Sequence, residues 1–427
     1  MLLRRVVTGS AVAATTVCLL QPPAHAAAAP GDLDPSFNAA GQVATRVGSD
    51  AEVNAVAMSG SMIVAGGWSA GPSGRVWALA RYLSYGGLDT SFGNQGRVRL
   101  PLGDAKGAVD LTVLPSGKIV AVGRVGGKLA VVRLTSGGRL DRTFGGGDGV
   151  VRTGFGQRGA AATSVARVGR GRIVVAGWST AAGGFEQFAL ARYLPSGRLD
   201  TSFGRRGKVL TDFWATRAEY SWVSQVMRWP GTGKVLAVGN TVRDGTSGFD
   251  LALARYTAAG KPDRDFGGGN GRTRLRVPGG MVASGAVLPA GGSILVGGYG
   301  GTAANADAVL VRFGPSGEVD RGWGGGDGIV TNDSGPGLEL WTHLVRAGGT
   351  TVLVGQVAGD AAVMRVLPSG ALDPTFGAGG LSVTPFQGGD SLLRGVVLQK
   401  DGRIVAGGSA SAVGAAGGFA LERLLHG

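Results

Sequence analysis

Apolar and polar positions follow a fixed order from Ala162 to Leu210. Ala162 to Val168 reads as a first strand, and Gly169-Arg170-Gly171 turns it into an unbroken apolar run from Arg172 to Gly177. A run of that length and continuity suits a strand packed on both faces. After a Gly-containing loop, Phe188 to Leu194 alternates more visibly, Pro195-Ser196-Gly197 turns the chain, and Gly207 to Leu210 makes a short fourth strand. The turn residues pre-set φ, allow positive φ or hydrogen-bond the local backbone. Nothing after the N-terminal segment sustains a 3.6-residue apolar period, so helix should be scarce.

One phrase marks this order seven times: LDPSFN from Leu33, LDTSFG from Leu88, LDRTFG from Leu140, LDTSFG from Leu199, PDRDFG from Pro262, VDRGWG from Val319 and LDPTFG from Leu372. Its Asp residues recur at intervals of 52 to 63 residues, a period that suits one propeller blade. The expected fold is all-β, a seven-bladed β-propeller of four-stranded blades. The chain opens with a fourth-type strand, Gln42 to Thr45, and ends on first, second and third types: Leu392 to Leu398, Arg403 to Gly407 and Phe419 to Leu424. Seven blades therefore require the N-terminal strand to complete the last one, which removes open edges.

An Arg precedes the Asp by eight residues in six copies: Arg81/Asp89, Arg133/Asp141, Arg192/Asp200, Arg255/Asp263, Arg312/Asp320 and Arg365/Asp373. Arg423 has no Asp after it, but Asp34 stands at the opposite end of the chain. Each pair is expected to be an ion pair between the third strand and the turn into the fourth, because a planar guanidinium can grip a carboxylate with two bonds. A ring of seven ion-binding sites is the alternative; identical residues in every repeat favour construction.

On these residues the chain resembles the delta-60 repeat family of bacterial β-propellers. Gly171 to Val209 and Gly117 to Val150 match its pattern GKIVVAG … FALARYxxxGxLDxSFGxxGxV, and the likeness extends over Leu33 to Leu424. The fifth and sixth copies depart at Pro262, Val319 and Trp323. The resemblance implies a fold and brings no catalytic residues. The IVAGG strand is also similar to the Gly-Gly strand of kelch repeats, a shared-architecture likeness.

Composition adds limits. With 82 Gly in 427 residues and no three-residue period, the chain is not collagen-like, and 44% hydrophobic residues argue against disorder. Met1 to Arg5 is basic, Val6 to Leu20 mostly apolar and Ala24-His25-Ala26 a cleavage-type sequence, the signature of a signal peptide. The domain plan is a signal peptide 1–26, a linker 27–32 and a single propeller 33–427, with secretion after cleavage near Ala26. Arg4-Arg5 fits either a general or a twin-arginine export route. No membrane insertion or C-terminal anchor is expected. Cys18, the sole cysteine, lies in the signal, so the mature chain should have no disulfide. The net charge of +14 favours an anionic glycan or envelope polymer. The Arg residues are scattered in sequence, so solubility explains the charge equally well. A protein partner is the alternative, nucleic acid is not expected, and a monomer is.

Function in such folds belongs to loops that break the repeat. By analogy with kelch ordering, the first strand is innermost, and the fourth-to-first and second-to-third loops share a face. The most deviant loop runs from Thr211 to Trp222 and holds Asp212, Trp214, Glu219, Tyr220 and Trp222; Thr331 to Trp341 follows, with Asp333, Glu339 and Trp341. Trp68, Trp178 and Tyr299 belong to the same face. Aromatic rings with carboxylates suit carbohydrate; packing between blades is the competing role. Catalysis has little support. His343 and His426 are the only histidines after the signal, and nucleophile-elbow and metalloprotease motifs are missing. Asp212/Glu219 could serve a glycosidase if suitably spaced. The GGGDG and GGGNG runs at Gly145, Gly324 and Gly267 are expected to be turns rather than calcium loops. No cofactor or metal is expected. A non-catalytic secreted binding module is the leading reading, a polysaccharide-acting enzyme or a protein scaffold the alternatives.

Overall fold

The computed structural model describes residues 28–427 apart from 73, 103–106, 157, 214–218, 244–247, 303–304, 336, 387–388 and 412–416. The signal peptide, Trp214 and part of the Thr211–Trp222 loop therefore lie outside the described residues.

The fold is all-β and propeller-like. Five sheets have four antiparallel strands and one has eight. The eight-stranded sheet consists of two four-stranded sets, Gly159–Thr211 and Glu219–Leu275, joined by the single parallel bridge Glu186–Tyr220. The other units span Ala51–Leu100, Ala108–Thr153, Val282–Asn332 and Glu339–Thr384. The terminal sheet holds Ser391–Leu398, Ile404–Ala410 and Gly418–Leu424, with Gln42–Thr45 beside the last of these, Val43 opposite Leu421. Among the described residues the only helical turn is Ala290–Gly292, and none is long and apolar enough to cross a membrane.

Apolar clusters lie between sheets rather than within them. One joins Leu111, Ala121 and Val132 to Trp77, Leu79 and Phe92 of the preceding unit. Another joins Phe419 and Leu421 of the terminal sheet to Val53, Ile63 and Tyr82 of the Ala51–Leu100 unit. This explains the unbroken apolar second strands: Ile173–Ala176 faces a neighbour on both sides and is buried throughout. The fourth strands form the outer edge, and they are short and often carry exposed Arg (Arg99, Arg152, Arg274), features that discourage edge-to-edge pairing.

Two sets of hydrogen bonds cross between neighbouring sheets. Near the axis, every first strand has a β-bulge. The bulged side chain donates to a carbonyl of the next unit's first strand: Asn54 to Ala108, Thr163 to Val223, Ser224 to Ala283, Ser284 to Trp341 and Thr342 to Leu393. Where Val109 has no donor, Asp110 accepts from the Ser164 hydroxyl and the Val165 amide across the same gap.

Farther out, the repeat motif makes the second set. All seven Arg–Asp pairs are within ion-pair distance, from 2.6 Å at Arg255–Asp263 to 3.2 Å at Arg312–Asp320, with Arg423–Asp34 at 2.9 Å. Each Arg also reaches the following unit in six of the seven: Arg81 donates to Ser136, Arg133 to Pro195, Arg192 to Ala258, Arg255 to Pro315, Arg365 to His426 and Arg423 to Ser84. The phrase's Phe lies under the guanidinium, as Phe144 does under Arg133 at 4.4 Å. The ring also lies against the next unit's turn glycine. Gly197 has φ +86°, and a Cβ there would stand 2.9 Å from the Phe144 ring. Only glycine meets both demands.

The Arg312–Asp320 pair is the exception. Both side chains are about one-third exposed. Trp323 replaces the usual Phe, and its indole donates to Pro368 at 2.8 Å, the carbonyl position that the Arg takes elsewhere. The glycine runs are turns: Asp148, Asn270 and Asp327 each accept the amide two residues on, at Val150, Arg272 and Ile329.

Candidate functional site

The first strands surround a central cavity of about 280 Å³ lined by Asn54, Asp110, Gln225, His343 and Arg394 among others. Burial pushes the Asp110 carboxyl up to about 6, although two amides and the Ser164 hydroxyl hold its oxygens. Burial alone takes His343 down to about 4, so it is neutral at neutral pH. Arg394 pairs with Glu52 at 2.6 Å. The lining is polar and mixed in charge.

At one mouth of this cavity the fourth-to-first and second-to-third loops meet, as the Glu186–Tyr220 bridge illustrates. Tyr220 is 40% exposed and meets Phe185 edge-on at 5.6 Å. Trp222, half-buried, meets Phe249 edge-on at 5.0 Å and also borders the central cavity. Phe249 continues into a cleft of about 240 Å³ lined by Met281, Tyr299, Leu338 and backbone at Gly279-Gly280 and Gly300-Gly301. Gly279 and Gly280 have open space where a Cβ would stand, whereas Gly300 and Gly301 allow close backbone approach to Gly280 and Asn305.

The remaining expected positions divide. Trp341 is fully buried in an apolar cluster, its indole donating to Glu339 at 2.9 Å. Trp68 is 5% exposed, with the Arg75 guanidinium 3.6 Å above its ring. Blade packing takes up Trp341, a correction to a ligand-contact role; Trp68, with Arg75 over its ring, borders a cleft of about 380 Å³ together with Glu52 and Asp390. Trp178 is half-buried, with Arg124 5.7 Å over its ring. Asp212 is half-buried, and its backbone carbonyl accepts from Arg272. Glu219 begins the Glu219–Arg228 strand, but its side chain lies outside the description, as does all of Trp214.

A different carboxylate group is gathered instead. Oxygens of Asp307, Asp333 and Glu339 lie within 4.8 Å of one another. They flank the aromatic cleft through the Ala306–Leu338 bridge. Glu339 is fully buried; burial raises its pKa even though Trp341 and the Ser334 amide donate to it. Burial and the nearby Asp333 raise that of Asp307, whose Oδ1 has no hydrogen-bond partner. Such a trio can share a proton or offer oxygens to a hard cation. A signal for Asp307 was present in sequence: Asp250, Asp307 and Asp360 each precede the repeat Arg by five residues.

The family model described as a domain of unknown function (DUF5122) beta-propeller matches residues 114–144 and 171–203. No curated protein matches the chain. Among solved structures, the β-propeller domain of the trilobed protease from Pyrococcus furiosus is 9% identical, with 90% of this chain and 97% of that one covered and a TM-score of 0.42. A protein of unknown function from Dyadobacter fermentans is 13% identical over 90% and 98%, with a TM-score of 0.47. A GH43_1 enzyme from Xanthomonas citri is 10% identical over 61% and 86%, at 0.30.

Proposed function

We propose that this chain is an exported, monomeric, seven-bladed propeller of the delta-60 repeat type that binds a glycan at its aromatic mouth without transforming it. Seven blades follow if the two sets of the eight-stranded sheet count separately, and the Gln42–Thr45 strand beside Gly418–Leu424 supports closure by the N-terminus. The residue 1–26 signature supports export.

The observation that carries the binding reading is the two edge-on ring pairs at one mouth, Tyr220 with Phe185 and Trp222 with Phe249, the second of which borders the Tyr299 cleft. Rings stack on the C–H faces of sugars, and nearby carboxylates fix hydroxyls. Binding to a glycan array should fall at least about tenfold on Trp222→Ala or Tyr220→Ala, and Trp214→Ala tests the adjoining loop. Unchanged binding in all three variants rejects the site.

The second reading, hydrolysis of polysaccharide, draws on the Asp307–Asp333–Glu339 trio, where neighbouring carboxyls, two of them raised by burial, suit acid–base work. It requires turnover that Glu339→Gln abolishes while binding persists. A protein partner is the reading left if glycan arrays are blank and pull-downs recover one protein.

A further inference from the structure

Charge that is scattered along the sequence is sorted by the fold. Because strands alternate in direction, every first-to-second and third-to-fourth turn lies on the face opposite the aromatic mouth. The position two residues before the repeat Asp is basic in three successive units, Arg139, Arg198 and Lys261. In other units it is Asp32, Gly87, Glu318 or Ala371. Hydrogen bonds place the three turns side by side: Gly145 donates to Ser196 at 3.1 Å and Gly204 to Ala259 at 2.8 Å. Arg142 and Arg264, directly after the repeat Asp, and Arg170, in a neighbouring hairpin turn, add to the same area.

All six cations are exposed, and among the described residues none forms an ion pair. The carboxylates at this end of these units are already committed. Asp141, Asp200 and Asp263 each hold two cations, Asp148 holds Arg152, and Asp265 holds Lys234. The other acids of the same units, such as Glu186, Asp212 and Asp250, lie at or near the mouth. A one-sided field of this kind attracts an extended polyanion.

We propose that this basic face, across the units Ala108–Thr153 to Glu219–Leu275, binds a linear phosphate polyanion. Five of the six cations are Arg, whose fork grips a phosphate with two bonds. Among the described residues of these units no fully exposed aromatic ring lies on this face, and the half-buried Trp229 is covered by the Arg255 guanidinium, so the surface reads backbone charge rather than stacked bases. This surface is separate from the aromatic mouth and independent of the glycan reading.

The test is titration of the full mature chain with long-chain inorganic polyphosphate, followed by anisotropy at several salt concentrations. The variant Arg139→Ala/Arg198→Ala/Lys261→Ala removes three charges at a position where Ala371 already stands in a sister unit. The control Arg46→Ala/Lys128→Ala/Arg158→Ala removes three exposed charges from the opposite face. The first should weaken binding on the order of tenfold and reduce the slope of log K against log salt by about 2; the control should change affinity less than about twofold. Equal loss in both variants, or no binding at 100 mM salt or so, overturns the proposal. Tighter binding of single-stranded DNA at equal charge overturns the phosphate-polymer assignment in favour of nucleic acid. Preference for anionic vesicles over the soluble polymer overturns it in favour of a lipid surface.

Discussion

Replacing Glu422 by Gln should make the seam between chain ends less sensitive to pH. Glu422 lies in the Gly418–Leu424 strand and is completely buried. One oxygen accepts from Thr384 at 2.6 Å in the preceding unit and from Gln42 at 3.3 Å in the N-terminal strand; the other has no partner. Burial pushes its pKa from the ordinary 4.5 to about 7, outweighing both hydrogen bonds. The folded state therefore holds the proton more tightly than the unfolded chain. Its stabilising contribution is complete below 4.5 and is lost as pH rises through about 7. At ~1.4 kcal/mol per pH unit, that interval amounts to about 3 kcal/mol. Glutamine keeps the acceptor oxygen and carries no charge. Urea denaturation at pH 5 and pH 8.5 or so should show the unaltered protein losing about 3 kcal/mol more than Glu422→Gln. Asp110, raised to about 6, has the same sign in both proteins and cancels in the difference. Hydrogen-exchange protection of Gln42–Thr45, corrected for the intrinsic base-catalysed rate, should fall with pH more steeply when Glu422 is present. Parallel stability–pH curves for the two proteins would refute the reasoning.

Three further substitutions probe the stitching between units. Arg133→Lys keeps a positive charge but cannot grip Asp141, reach Pro195 and cover Phe144 together; a loss of about 2–4 kcal/mol is expected in denaturant melts, and a neutral result would mean charge alone suffices. Gly197→Ala meets both a positive φ and the Phe144 ring, so it should cost about 2–4 kcal/mol. Gly146→Ala, where a Cβ meets open space, should cost only about 1–2 kcal/mol, and equal costs would discard the packing argument. Trp323→Phe should free the Pro368 carbonyl for Arg312, so Arg312→Lys becomes more damaging in that background; a double-mutant cycle should give coupling of about 1 kcal/mol, and strict additivity would contradict the exchange.

The repeat was legible because each copy must solve the same packing problem. Leu-Asp-x-Ser-Phe-Gly sets the carboxylate, turn and ring at one spacing, and the Arg eight residues earlier has a charged partner to identify it. Its second contact left no such trace, since the acceptor is a backbone carbonyl that Ser136, Pro195 or Ala258 supplies equally well. The mouth was harder to read. Trp222 and Trp341 occupy similar first strands, yet one ring is half-exposed and the other fills an apolar cluster. The Asp307–Asp333–Glu339 group joins residues from a third strand, a loop and the next first strand; the deviant loop drew notice to Asp333 and Glu339, but nothing local shows that Asp307 meets them.

Local chemistry alone specified the strands, the turns and the Arg–Asp spacing, because two-residue alternation, positive-φ glycines and an eight-residue reach are properties of a short segment. Which side chains are covered, which carboxylates meet and which cations face the same way depended on sheets stacking around an axis. Those relations join residues of different strands and units, such as Asp307 with Glu339 and Asn54 with Ala108, and a one-dimensional pattern carries no information about exposure after such packing.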